Sequence, residues 1–120
     1  MNKNYYITTP IYYPSAKPHM GHAYTSIMAD FFARFKRMDG FNVHFLTGTD
    51  EHGLKIQRAA EKKNIDPQTF CNEISQTYRD LSDKLNLSNT DFIRTTENRH
   101  IKSVQHLWSV LEKNDDIYLS

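Results

Sequence analysis

The chain alternates short β-type runs with amphipathic helical runs, and this alternation restricts the folds that it can adopt. Residues 5–9 and 41–47 are rich in aromatic and β-branched side chains, which is typical of strands. Between them, prolines keep residues 10–18 in a loop, and apolar side chains recur at helical spacing over residues 21–38. The order strand, helix, strand predicts a parallel βαβ unit and therefore an α/β fold.

The remaining segments continue the same pattern. Residues 54–63 predict a short helix, and Asp66, followed by a proline, predicts the capped start of a longer one. Residues 92–93 indicate a short strand, Thr96 is a candidate cap for a last helix, and residues 117–119 indicate the start of another strand. Because so few parallel strands make a poor sheet alone, we expect the first part of a larger enzyme.

Each longer helical segment carries an apolar stripe. In the first helix the stripe consists of Ala23, Ile27, Phe31, Phe35 and Met38. In the later helices the stripes consist of Phe70, Ile74, Tyr78, Leu81 and Leu85, and of Ile101, Val104, Leu107, Trp108 and Leu111. We interpret the later stripes, Trp108 included, as buried core rather than as part of a cofactor site.

Composition and charge exclude several classes of protein. The 120 residues suggest one domain, and a formal net charge of +1 with interspersed acids and bases argues against a main RNA-binding surface. Cys71 is the only cysteine, which excludes an intrachain disulfide and a cysteine-based zinc site. Residues 1–30 show no signal-peptide pattern and no apolar run reaches membrane-spanning length, so we expect a cytoplasmic protein without a membrane partner.

Polar clusters follow both strands of the first predicted unit. His19 and His22, with Gly21 between them, open the first helix, and residues 50–53 follow the second strand. Because a right-handed crossover brings the carboxyl ends of parallel strands to one edge of the sheet, we expect both clusters to face one crevice. A helix N-terminus with two imidazole donors is suited to phosphate, and a glycine there lets a ligand approach the backbone closely.

The same crevice is predicted to hold a second kind of ligand. Asp50 offers a negative charge that suits an ammonium group, and Ile11, Tyr12 and Tyr13 can form an apolar wall. A site for phosphate, ammonium and an apolar side chain is suited to ATP together with a hydrophobic amino acid.

Each of these features also has a purely structural interpretation. A His-x-Gly-His pair can be a coincidental helix start, and residues 50–53 can be a solvated turn, because Asp and Gly favour turns for backbone reasons. Tyr12 and Tyr13 can be ordinary core or rim aromatics. Three histidines inside predicted strands or helices are interpreted as structural: His44, His100 and His106.

Three longer runs resemble one family. They read Tyr-Ile-Thr-Thr-Pro-Ile-Tyr-Tyr at 6–13, Pro-His-Met-Gly-His-Ala-Tyr at 18–24 and Phe-Leu-Thr-Gly-Thr-Asp-Glu-His-Gly-Leu-Lys-Ile at 45–56. Together they closely resemble the N-terminal region of bacterial methionyl-tRNA synthetases, and the likeness extends from Tyr5 to the end of the chain. Residues 19–22 resemble the class I "HIGH" motif, and residues 48–53 point to methionine rather than to leucine, valine or isoleucine.

The resemblance implies a fold and a reaction. The fold is a Rossmann-like parallel sheet flanked by helices, with residues 1–120 forming the N-terminal part of a class I catalytic domain that ends near the start of the connective insertion. In the reaction, methionine attacks the α-phosphate of ATP, which is bound with Mg²⁺, and the methionyl group then passes to the 3′ end of tRNA(Met).

The resemblance also implies roles for individual residues. His19 and His22 would be catalytic and would stabilise the phosphates in the transition state, and together with Gly21 they would bind ATP. The residues implied for methionine binding are Pro10, Ile11, Tyr13, Asp50 and His52. No metal ligand is implied within the chain, so zinc is possible only outside it.

Other interpretations stay open at this point. The second ATP motif of the family, a Lys-Met-Ser-Lys-Ser-like loop, does not occur in these 120 residues. The chain could therefore be a non-catalytic fragment that acts as a binding module. A free-standing nucleotidyltransferase of the same superfamily is a weaker alternative, because residues 50–53 argue against it. The sequence does not indicate an oligomeric state.

Overall fold

Three strands and four helices follow one another in the described part of the chain, residues 3–119 of a computed structural model. In chain order they are β1 (Asn4–Thr8), α1 (Met20–Met38), β2 (Asn42–Thr49), α2 (Leu54–Lys62), α3 (Pro67–Lys84), β3 (Asp91–Arg94) and α4 (Asn98–Lys113). The strands form one parallel sheet in the order β1-β2-β3. The predicted α/β fold with parallel βαβ units is confirmed.

The helices that pack on the sheet lie on one of its faces. Ala29 of α1 belongs to a buried cluster with Val43 and Phe45 of β2, and Phe92 of β3 belongs to the cluster of α2 and α3. Phe92 pairs in register with Thr47, which shares a face with Val43 and Phe45 because side chains alternate along a strand. Both crossovers therefore wind in the same direction. The principal dimensions of the molecule are 46 × 42 × 22 Å, so it has the shape of a slab.

The opposite face of the sheet is open. Tyr6 is 59 % exposed there, and its ring stacks on that of His44 with the centroids 5.5 Å apart. Leu46 and Ile93 are half-buried on the same face. Parallel sheets are normally covered on both sides, so this open face is a surface that a complete doubly wound domain buries.

Helix α1 turns its small and polar side chains, rather than its apolar stripe, toward the sheet. Ser26, Asp30 and two alanines are its buried residues, whereas Phe31 of the stripe is 61 % exposed. The desolvation cost of burying Asp30 is offset by hydrogen bonds. Its carboxylate accepts them from the Ser88 backbone N–H at 2.7 Å and from Arg34 Nε at 2.7 Å. The small residues let the helix lie close to β2, and the aromatic stripe faces outward.

The later apolar stripes behave differently from each other. In α3, Phe70, Ile74 and Tyr78 are buried against α2 and β3, as predicted, whereas Leu81 is half-buried and Leu85 is exposed. In α4 no residue is buried, and Trp108 is 57 % exposed, so the interpretation of that stripe as core is wrong. The described packing of α4 is concentrated at its start, where Arg99 forms an ion pair with Asp91, and residues 101–110 are exposed.

Two further expectations from the sequence are also wrong. Thr96 does not cap α4, because its hydroxyl donates instead to Glu51 Oε2 at 2.5 Å. Glu97 stands at the cap position, and its side chain makes no capping hydrogen bond. Residues 117–119 are not a strand, since no strand edge among the described residues pairs with them. The predicted cap of α3 is confirmed, because Asp66 accepts a hydrogen bond from Thr69 N–H at 3.0 Å.

Within residues 3–119, no helix has the length and apolar content that crossing a bilayer requires.

Candidate active site

The loop after β1 returns to the end of β2 and brings the two polar clusters together. Tyr12 N–H donates to the Gly48 carbonyl at 2.9 Å, and Asp50 N–H donates to the Tyr12 carbonyl at 2.8 Å. These bonds form an isolated parallel bridge between Tyr12 and Thr49, beyond Thr8–Leu46, the last pair of β1 and β2. The loop that leads to His19 therefore lies directly beside Asp50 at the carboxyl edge of the sheet.

The two histidines cap helix α1 reciprocally. His19, at the cap position, accepts a hydrogen bond through Nδ1 from Gly21 N–H at 3.0 Å. His22, in the first turn, accepts one through Nδ1 from His19 N–H at 3.0 Å. This is the capping-box pattern with imidazoles in place of the usual hydroxyl and carboxylate. The two rings lie against each other with their centroids 3.8 Å apart.

This cap determines the tautomer of both imidazoles. A nitrogen that accepts from a backbone N–H carries no proton, so in each neutral ring the proton is on Nε2. Burial and, second, the charge of His19 lower the pKa of His22 below its ordinary value, which favours the neutral ring. Both rings thus offer an Nε2–H donor at the positive end of the α1 dipole, which suits an anion.

Gly21 is required by the histidine pair itself. A Cβ built at this position would lie 2.9 Å from His19 Cε1 and 3.1 Å from His19 Nδ1. A side chain there would therefore displace the His19 ring from its capping position.

Tyr12 and Tyr78 enclose one side of His22. Tyr12 is 7 % exposed, its hydroxyl lies 2.9 Å from Ser26 Oγ, and its ring meets that of His22 edge to face at 4.8 Å. Tyr78 of α3 meets the same imidazole at 5.2 Å, and its hydroxyl donates to the Ala16 carbonyl at 3.3 Å. Sequence reasoning assigned Tyr78 to the core alone, since helical spacing does not reveal that a core residue also contacts a distant loop.

The side chains predicted to bind methionine lie along the rim of this edge. Pro10 is exposed, and Ile11 and Tyr13 are 37 % and 44 % exposed. Tyr13 is held in place, because its hydroxyl donates to the His52 carbonyl at 2.8 Å. Gly53 makes room for that hydroxyl, since a Cβ there would lie 2.7 Å from it.

Asp50 and His52 follow the last residue of β2. Asp50 is half-buried, and none of the ion pairs among residues 3–119 includes its carboxylate. His52 Nε2 lies 3.4 Å from the Thr95 carbonyl oxygen. The Asp50 carboxylate therefore remains available to a cationic ligand at the carboxyl end of β2.

Glu51, between them, is buried and anchors this turn. Its carboxylate receives Arg94 Nε at 2.7 Å and Arg94 Nη2 at 3.0 Å, together with hydroxyl bonds from Thr49 and Thr96. Burial acts to raise the pKa of Glu51, but the hydrogen bonds from Arg94, Thr96 and Thr49 and the charge of Arg94 outweigh it and hold that pKa below its ordinary value. The pair ties the end of β2 to the end of β3.

Sequence reasoning missed this ion pair. Arg94 is separated from Glu51 by 43 residues, and nothing in the local pattern distinguishes Glu51 from an acid in a solvated turn. The only available signal was its position between two candidate site residues. Cys71 lies next to it, with a pKa raised to about 11 by burial and by the charge of Glu51, so its thiol is unreactive at neutral pH.

The described residues contain no cluster of three or more His, Cys, Asp or Glu side chains that could hold a metal ion. The site is instead built from a parallel sheet edge, two imidazole donors at a helix start and a carboxylate at the neighbouring strand end. A Rossmann-like domain that binds a phosphorylated ligand beside a cationic group has these features.

Comparison with known proteins makes the assignment specific. The family model described as tRNA synthetases class I (M) matches residues 5–120. The chain therefore belongs to this family, and the resemblance seen in its sequence is confirmed.

Named relatives and a solved structure agree with this assignment. The chain is 56 % identical over 117 residues to the mitochondrial methionine–tRNA ligase of Takifugu rubripes, and 57 % identical over 118 residues to the methionine–tRNA ligase of Rickettsia conorii. A crystal structure of Mycobacterium tuberculosis methionyl-tRNA synthetase bound by methionyl-adenylate matches 98 % of the chain with a TM-score of 0.94 and 45 % identity. Each match includes 98 % of this chain but only 20–23 % of the longer protein.

Proposed function

We propose that this chain forms the N-terminal part of the catalytic domain of a methionine–tRNA ligase. The observation that carries the proposal is the reciprocal histidine cap, which leaves two Nε2–H donors at the start of α1, after a loop that is hydrogen-bonded to the Asp50 backbone. Membership of the class I family supports it, as do relatives that are named methionine–tRNA ligases. Activity requires the full-length protein, because the chain is about a fifth as long as those relatives.

The first step of the proposed reaction is formation of methionyl-adenylate. A carboxylate oxygen of methionine attacks the α-phosphorus of ATP, and the bond from that phosphorus to the β-phosphate oxygen breaks, which releases pyrophosphate. Negative charge grows on the phosphate oxygens in the transition state. His19 and His22 donate Nε2–H bonds to those oxygens, and Gly21 lets the nucleotide lie against the helix start.

Methionine is proposed to lie between the two loops. Asp50 binds its ammonium group, and Pro10, Ile11 and Tyr13 contact its side chain. His52 borders the same pocket, and its backbone carbonyl orients Tyr13. The histidine cap and Asp50 thus hold the two reactants from neighbouring strand ends, which favours reaction by proximity.

The second proposed step transfers the methionyl group to the 3′-terminal adenosine of tRNA(Met) and releases AMP. Magnesium is proposed to enter with ATP as its counterion, since no metal cluster is available among the described residues. The cytoplasm is the proposed compartment, because tRNA charging serves protein synthesis there.

The experiment is methionine-dependent exchange of pyrophosphate into ATP by the full-length protein. We expect exchange in the wild type, and we expect Asp50→Ala to raise the KM for methionine at least 30-fold, the equivalent of about 2 kcal/mol for a charge pair that loses one partner. The matched control is Asp83→Ala, which removes an exposed carboxylate from the last turn of α3. A wild-type protein that binds ATP or tRNA without exchange would instead favour the binding module.

A further inference from the structure

Helix α2 carries a strip of positive charge next to the site. Lys55, Arg58 and Lys62 follow one another at spacings of three and four residues, which places them on one side of the helix. All three are exposed, and none takes part in an ion pair within the described residues. The only acid of α2, Glu61, instead accepts a hydrogen bond from Gln57.

The cations of this strip are unpaired, whereas several other arginines of the chain form ion pairs. Arg34, Arg94 and Arg99 are paired with carboxylates at 2.6–2.7 Å, so most of their charge is neutralised locally. The formal net charge of the whole chain is only +1. The concentration of unpaired cations on α2 is therefore a local feature that the net charge conceals.

The strip borders a concavity that reaches the active-site loops. This concavity of about 460 Å³ is lined by Ser15, Lys55, Arg58, Ala59, Lys62, Lys63 and Phe70. Ser15 lies on the loop that leads from β1 to His19, and α2 begins directly after Gly53. A ligand in the concavity therefore lies at the rim of the proposed site.

The strip is also rigidly mounted. Ile56 and Ala60, on the other side of α2, are 2 % and 0 % exposed and pack in the cluster that contains Phe70. Lys63 Nζ lies 5.3 Å from the centroid of the Phe70 ring. The cations thus project from a helix whose position relative to the sheet is fixed, as a specific binding surface requires.

We propose that the α2 strip binds the phosphate backbone of the acceptor end of the substrate tRNA, an inference that rests on the proposed function. Lys55 and Lys62 are separated by seven residues, which is about 10 Å along a helix and about three stacked nucleotides of one strand. The phosphates of ATP are assigned to the histidine pair, so the strip serves a second polyanion. It makes a local contact near the 3′ end, which agrees with a chain that is not the main RNA-binding surface.

The test uses the full-length protein with all three strip cations replaced by glutamine (Lys55→Gln, Arg58→Gln and Lys62→Gln). The matched control replaces three exposed lysines on the other helices (Lys84→Gln, Lys102→Gln and Lys113→Gln), which changes the net charge equally. Pyrophosphate exchange without RNA, aminoacylation of tRNA(Met) and binding of fluorescent tRNA are measured for each protein. Aminoacylation is repeated with an acceptor minihelix that lacks the anticodon arm.

We expect the strip variant to exchange pyrophosphate within about twofold of the wild type, because the strip lies outside the ATP site. Its KM for tRNA and for the minihelix should rise at least tenfold. Its Kd for tRNA should become less dependent on salt, with a log–log slope smaller by about 0.7–0.9 for each phosphate that the variant no longer neutralises. The control variant should show neither change.

Unchanged RNA parameters in the strip variant would overturn the proposal, as would an equal fall in pyrophosphate exchange, which would place the cations at the ATP site or in the fold. A defect with whole tRNA but not with the minihelix would overturn the assignment to the acceptor end. A wild type without exchange would contradict the proposed function instead. In that case, the comparison of tRNA binding by the strip variant and by the control variant would still test whether the strip binds tRNA.

Discussion

The reciprocal histidine cap gives each nitrogen of His22 a separate task, and two substitutions can separate these tasks. Nδ1 accepts from His19 N–H at 3.0 Å, and Nε2–H is left for the ligand. In His22→Asn, the amide oxygen stands near the former Nδ1, so the cap is kept and the outer donor is lost. In His22→Gln, the amide nitrogen reaches toward the former Nε2, so a donor is kept and the cap is lost.

The two losses have different magnitudes and appear in different measurements. Loss of one preorganised donor to a transition-state oxyanion costs about 2.7–4 kcal/mol, so His22→Asn should lower kcat for pyrophosphate exchange by about 10²–10³-fold. Its KM for methionine should change little, because the ammonium group is proposed to bind Asp50 instead. Loss of a helix cap costs about 0.5–2 kcal/mol of stability, so His22→Gln should lower the free energy of unfolding and retain more of kcat.

The assay combines two measurements on the full-length protein. Pyrophosphate exchange at saturating ATP and methionine gives kcat, and urea denaturation gives the free energy of unfolding. Near wild-type exchange by His22→Asn would refute the role of Nε2. An equal loss of kcat in both variants, with equal stability, would refute the division of tasks between the two ring nitrogens.

Other predictions concern the frame of the site. Glu51→Gln leaves the half-buried Arg94 without its charged partner and should cost about 1–3 kcal/mol in urea denaturation; an unchanged midpoint would contradict this. Because the folded pKa of Glu51 lies below its ordinary value, its stabilisation is complete above that value and is lost as the pH falls through the folded pKa, so acid titration of stability should be shallower in Glu51→Gln. Gly48→Ala would place a Cβ against the Ile93 carbonyl and should lower the melting temperature. Gly40 lies at an open turn with a φ of 80°, so Gly40→Ala should lower the free energy of unfolding by about 1 kcal/mol or slightly more.

Local signals in the sequence predicted the elements of the fold well. The Asp66 cap, the proline that follows it and Gly40 with its positive φ act within a few residues, so the local sequence is enough to reveal them. The interpretation of the α4 stripe as core failed for a physical reason. Helical periodicity shows that Val104 and Trp108 share a face, but it does not show which surface that face meets.

The candidate site was predictable only in part. The convergence of the loop before His19 with Asp50 follows from the geometry of parallel crossovers, which the sequence order already implies. The imidazole caps were not predicted, because hydroxyl and carboxylate side chains usually occupy those positions. The Glu51–Arg94 pair joins residues that are distant in sequence, and such a contact requires the tertiary structure.

The common winding of the two crossovers also determines where a cleft can open in a larger sheet. Both crossovers run from β1 toward β3 and place their helices on one face. A strand added on the free side of β1 by a right-handed crossover would carry its helix on the open face of Tyr6 and His44. The loops after β1 and after that strand would then leave the sheet in opposite directions, which is the topological switch point where doubly wound proteins bind their ligands. The histidine pair, on the loop after β1, stands at that boundary.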